Sequence, residues 1–145
     1  MKALLARPHD FIVDDMRRWL AALGLQPVRL STLADLEQHA PADVRALVIS
    51  TAVTSSVKAT VAEALAAVRR RFAGTPLLLA GLASVASARV GLEAELRAHG
   101  LALHGAREPA AWGTPRVALY VQDMELRPGR TEALTAAARR HLRLL

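Results

Sequence analysis

The chain has no cysteine, which excludes disulfides, thiolate zinc sites, iron–sulfur clusters and a cysteine nucleophile together. Aromatic residues are nearly as scarce, two Trp, two Phe and one Tyr in 145 residues, too few for a platform on which bases could stack. Apolar runs are short. The longest, such as Pro76 to Val85, stop well below the ~20 residues of a membrane span. The first residues offer only four apolar positions before Arg7, too few for the core of a signal peptide. A soluble, cytoplasmic chain is the expectation. Phosphate-binding glycine loops (Gly-x-x-x-x-Gly-Lys, Gly-x-Gly-x-x-Gly), His-Glu-x-x-His and Gly-x-Ser-x-Gly do not occur. No cofactor or metal is therefore expected, and the balance is against an enzyme.

What is present is aliphatic. Hydrophobic residues make up 52% and charged residues 22% of the chain, a composition that folds rather than stays disordered. The net charge of +6 comes from 17 arginines set against two lysines, a bias that with so much alanine fits a GC-rich genome. The arginine groups are Arg17-Arg18, Arg69-Arg70-Arg71, and Arg139-Arg140 with His141 and Arg143. Each falls in the second half of an expected helix, where cations complement the helix dipole. Solvated helix ends are expected there, and not a nucleic-acid surface.

Two kinds of segment alternate. Ala3 to Ala6, Pro27 to Leu30, Ala46 to Ser50, Leu77 to Ala80 and Val117 to Val121 read as strands buried on both faces, with Leu101 to Leu103 a brief further run. Between them lie helical patterns. Asp10 opens one that places Ile12, Met16, Trp19, Leu20 and Leu23 on one face and ends at Gly24. Ser31 or Thr32 opens a short one through Leu33 and Leu36. Ser55 or Ser56 caps a long helix with Val57, Val61, Leu65, Val68 and Phe72 in one stripe. Ser84 or Ser87 starts another, with Val90, Leu92 and Leu96 inward. The last begins near Thr131 with Leu134, Ala138 and Leu142 inward. Strand–helix alternation without a linker predicts one three-layer α/β/α domain, residues 1–145, around a mainly parallel sheet of five or six strands.

In such a sheet ligands bind beyond the carboxyl ends of the strands. Hydroxyls from Ser50 and Thr51 through Thr54, Ser55 and Ser56, ahead of a helix, together with Arg7, could hold an anion; the same serines and threonines also suit plain turns and caps. Asp123 and Glu125 follow the last strand, where they fit either a site or the turn into Pro128-Gly129. Asp14 and Asp15 suit the first turns of a helix. The five histidines, His9, His39, His99, His104 and His141, show no metal-ligand spacing.

The order Lys2 to Ala6, Phe11 to Gly24, Ala46 to Ser50 and Thr75 to Leu79 resembles a response-regulator receiver domain over roughly residues 1–105, with residues 106–145 departing from it. The resemblance implies the flavodoxin-like (CheY-like) strand order and a role in bacterial two-component signal transduction. Receivers carry an acidic pair after the first strand, a phosphoaccepting aspartate ending the third, a hydroxyl residue ending the fourth and a lysine ending the fifth. On those positions fall Arg7 and Pro8, Ser50, Gly81, and Arg107. Aspartyl phosphorylation needs carboxylates as nucleophile and as Mg²⁺ ligands. The resemblance therefore implies a pseudo-receiver that acts without phosphorylation, by binding another protein or itself. Leu134, Leu142, Leu144 and Leu145 of the last helix suit either a pairing surface for a homodimer or packed core. The alternative is a small α/β domain that binds an anionic or phosphate-bearing ligand at Arg7 and the Ser50–Ser56 loop. A third reading, an enzyme with Asp123 or His9 as base, specifies no reaction.

Overall fold

The computed structural model describes residues 1–6, 10–51 and 59–144, the side chains of residues 10–13 excepted. Six strands, β1 (Lys2–Ala6), β2 (Gln26–Arg29), β3 (Val44–Ser50), β4 (Leu77–Gly81), β5 (Ala102–Gly105) and β6 (Val117–Gln122), form one sheet. Their order is β2-β1-β3-β4-β6-β5, and every neighbouring pair is parallel. Helices α1 (Asp10–Ala22), α2 (Val61–Arg71), α3 (Val85–Gly91), α4 (Glu93–Ala98) and α5 (Glu132–His141) cover its faces. Among the described residues no helix is long and apolar enough to cross a membrane.

The apolar strands are continuous because both of their faces are covered. Since side chains alternate along a strand, Leu4, Ala6, Leu47, Ile49, Leu77, Leu79, Ala118 and Tyr120 pack toward one layer with Leu65, Val68, Phe72 and Leu96. Ala3, Leu5, Ala46, Val48, Leu78, Ala80, Leu119 and Val121 pack toward the other, with Met16, Trp19, Leu20, Leu134 and Leu142. Each fully buried leucine contributes about 1.5–3 kcal/mol, so the two layers together carry most of the stability. The segment 26–29 is the exception: β2 is a half-exposed edge strand, the place in a sheet where Pro27 is tolerated.

Several helix boundaries differ from expectation. The three-ten helix Leu33–Gln38 starts at Thr32 as expected, with Asp35 reaching back to the backbone N–H groups of Ser31 and Thr32. The described part of α2 starts at Val61, where Thr60 Oγ1 accepts from Glu63 N–H at 3.1 Å and Glu63 Oε1 accepts from Thr60 N–H at 3.2 Å. This reciprocal cap satisfies two otherwise orphaned donors. The expected caps Ser55 and Ser56, and Val57, lie outside the described residues. The expected helix after Ser84 is two, α3 and α4, broken at Leu92 just after Gly91. Val90 is 77% exposed instead of inward, because Ala88 and Leu92, four apart, already define the buried face.

The last third of the chain has a pairing that the sequence leaves open. The Leu101–Leu103 run becomes β5 on the outer edge, and β6 takes the place beside β4. The return between them, residues 106–116, is made of turns and is held from both sides. Arg69 Nη2 donates to Pro115 O and Arg143 Nη2 to Gly113 O, each at 2.8 Å. Arg71 Nη2 donates to His39 O at 2.8 Å and Arg71 Nε to Leu36 O at 3.1 Å, tying α2 to the three-ten helix. These arginines are clasps on backbone carbonyls and not only solvated helix ends. Of the two readings of the last helix, its described leucines fit packed core. Leu134 and Leu142 are fully buried and Leu144 packs partly against the same core, while Leu145 lies outside the described residues.

Candidate functional site

Parallel strands deliver their carboxyl ends to one rim, where β3, β4 and β6 finish side by side. Ser50 ends β3 and is 4% exposed; Thr51 continues the pairing with its N–H on Ala80 O at 2.8 Å. Gly81 ends β4 and is buried. A Cβ on Gly81 would stand 2.5 Å from Thr51 Oγ1 and 3.0 Å from Tyr120 Oη. Glycine is required here by close approach, and the volume a side chain would take is filled by two hydroxyl groups. Tyr120 Oη donates to Ala83 O at 2.7 Å, fixing the turn after β4.

Beyond β6 the chain bends into a three-ten helix, Asp123–Leu126, with Glu125 Oε1 accepting from Gln122 N–H at 2.9 Å. Glu125 is thus a capping residue. Asp123 begins that turn at the rim. Asp15 of α1 pairs with Arg18 and joins Leu82, Gln122, Asp123, Met124 and Leu126 around a cavity of about 160 Å³. Leu82 is 78% and Met124 43% exposed at its mouth. The rim therefore combines an apolar mouth with two aspartates and Arg127.

Of the residues expected at this rim, Ser50, Thr51 and Gly81 are brought together. Arg7, Pro8, Thr54, Ser55 and Ser56 lie outside the described residues, as does His9. Arg107 does not join the rim of β3 and β4. It follows the edge strand β5 and lines an open groove with Trp112 and Ala136. Since β6 stands next to β4, the strand end beside Gly81 is Gln122 and not Arg107, which the receiver resemblance aligns with the lysine. Tyr120 is a site residue that strand ends alone do not single out. Its signal in the sequence is that it is the one tyrosine, set in an otherwise apolar strand, and a buried tyrosine needs a partner for its hydroxyl.

The described histidines do not gather at the rim. His39 Nδ1 lies 3.3 Å from Lys2 Nζ. His104 and His141 flank Trp112, whose ring meets theirs edge-on at 6.4 and 5.4 Å. His141 is fully buried, and burial lowers its pKa from the usual 6.5, opposed by its hydrogen bond to Leu77 O. Glu108 sits below the usual carboxylate range, first because Gly105 N–H donates to it and then because Arg89 does. It fastens the end of β5 and is a structural carboxylate. Among the described residues no group of three or more His, Asp or Glu is placed to hold a metal ion.

Neither a protein-family model nor a curated protein matches the chain. Among solved structures it is similar to the crystal structure of a two-component system response regulator/GGDEF domain protein, with a TM-score of 0.51 and 14% identity over 97% of this chain and 46% of that one. The chain spans about half the length of that protein. At such identity the likeness is one of architecture, and with the six-stranded parallel sheet it fits a flavodoxin-like α/β fold.

Proposed function

We propose that the chain is a pseudo-receiver, a signalling module that works without phosphorylation or catalysis and passes its signal by contact with another protein. The observation that carries this reading is the end of β3. Ser50 occupies, buried, the position where the receiver resemblance requires a carboxylate. A serine hydroxyl needs an activating base to become a nucleophile, whereas a carboxylate does not. The neighbouring positions support the same reading. Thr51 and Tyr120 hydroxyls close the space over Gly81, and the residue paired with Gly81 at the end of β6 is the uncharged Gln122. Arginine and proline at positions 7 and 8 cannot supply the oxygen ligands that Mg²⁺ prefers.

The apolar groups this rim offers to a partner protein are Leu82 and Met124, both exposed. A contact there would couple to the sheet through Tyr120, which holds Ala83 beside Leu82. The test is incubation with acetyl phosphate and Mg²⁺ followed by intact mass measurement. The expected spectrum shows the unmodified chain alone. A stable gain of one phosphoryl group overturns the proposal.

A further inference from the structure

The opposite rim, where the strands begin, carries a second cleft. It measures about 460 Å³ and is lined, among others, by Met1, Arg45, Arg71, Thr75, Gly113 and Arg143, with no carboxylate among its lining residues. That volume lies within the roughly 300–1,000 Å³ of small-molecule sites. Two of its guanidinium groups are anchored from behind. Arg71 is held by Leu36 O and His39 O, and Arg143 by Gly113 O. Anchoring removes much of the rotamer entropy a free arginine loses on binding.

Two further observations separate this cleft from an ordinary basic surface. Arg45 Nε is buried and finds no hydrogen-bond partner among the described residues. A buried charged donor left unpaired is expensive, so Arg45, half-buried in the wall of the cleft, gains from a rearrangement that brings it an anionic partner. Arg143 is the one described non-glycine residue with positive φ, +55°, a conformation that costs a side-chain-bearing residue about 1–2 kcal/mol. It stands just past the end of α5, where glycine is the usual choice. The strain is held where it aims a guanidinium at the cleft. Helices α2 and α5 both end here, through Phe72 and Leu142. Each helix end contributes about half a negative charge, less than the three guanidinium charges, so the cleft stays positive.

We infer that this amino-rim cleft binds a small phosphorylated anion carrying at least two negative charges, gripped by Arg45, Arg71 and Arg143. Inorganic pyrophosphate is the probe, titrated calorimetrically into the full chain at low salt. The expected result is saturable binding, weakened about tenfold or more in Arg45→Gln, as the loss of one charge-assisted hydrogen bond implies. Arg107→Gln, an exposed arginine far along the edge of the sheet, binds as the unsubstituted chain does. Should Arg45→Gln fail to fold, amide NMR of the unsubstituted chain tests the same cleft: shifts on pyrophosphate addition concentrate at Gly74, Thr75, Gly113 and Arg143. Absence of binding, equal weakening in Arg107→Gln, or shifts scattered over the surface would overturn the inference.

Discussion

His141 ties three parts of the fold together, and removing it has a consequence that depends on pH. Its Nδ1 accepts from Gly113 N–H at 3.0 Å and its Nε2–H donates to Leu77 O at 3.1 Å. The Gly113 contact requires the neutral ring, because a proton on Nδ1 would face the Gly113 donor, whereas the Leu77 contact survives protonation and opposes the lowering of the pKa. Burial lowers the folded pKa below the usual 6.5. Hence, as pH falls below the unfolded value, the unfolded chain takes up a proton that the folded chain refuses. Stability drops by at most about 1.4 kcal/mol per pH unit until the folded pKa is passed. His141→Leu keeps the bulk but strands the buried Leu77 carbonyl, at about 1–3 kcal/mol, and the half-buried Gly113 N–H, at about 1–2 kcal/mol. At about pH 7.5 the variant is therefore less stable by about 2–5 kcal/mol, and toward about pH 5.5 the gap narrows because only the unsubstituted chain carries the histidine penalty. Urea unfolding followed by tryptophan fluorescence at several pH values measures this. A gap that stays constant or widens in acid would refute the assignment of a neutral, donor–acceptor histidine.

Further substitutions probe other joints. Gly81→Ala places a methyl against Thr51 Oγ1 and Tyr120 Oη and is expected to destabilise by about 1–3 kcal/mol; in a double-mutant cycle Thr51→Ala recovers part of that loss, and strict additivity would show the crowding to be wrong. Arg71→Ala frees the Leu36 and His39 carbonyls and is expected to cost about 1–2 kcal/mol in chemical denaturation, an exposed but forked contact that Arg71→Lys restores only in part. Thr135→Val removes the acceptor of Trp19 Nε1–H at 3.1 Å; a loss of about 1 kcal/mol is expected, and an unchanged thermal midpoint would contradict it.

The parts of the fold legible in the sequence are those where burial and periodicity agree. β1, β3, β4 and β6 are apolar on both faces and read directly as strands, and the stripes of α1, α2 and α5 follow from three- and four-residue spacing. Sheet order is less legible. Leu101 to Leu103 precedes Val117 to Val121 in the chain, so chain order alone puts it next to β4. Composition holds a hint, since Val117-Ala118-Leu119-Tyr120-Val121 is apolar throughout and suits the interior, whereas Ala102-Leu103-His104-Gly105 mixes characters and suits an edge. The arginine clasps are not readable, because each joins groups about 30 or more residues apart and a backbone carbonyl leaves no mark in the sequence. At the rim, Ser50 and Gly81 can be singled out from strand ends alone. Tyr120 finds its place only through the register of β4 against β6, which brings it beside Leu79.

The phosphorylation-independent role turns on whether the carboxyl rim answers to magnesium and a phosphoryl mimic. Amide NMR spectra recorded with and without Mg²⁺ and beryllium fluoride measure this without depending on a covalent product. The signals of Ser50, Thr51, Gly81 and Asp123 are predicted to stay where they are. A saturable shift of these four together would contradict the proposed role.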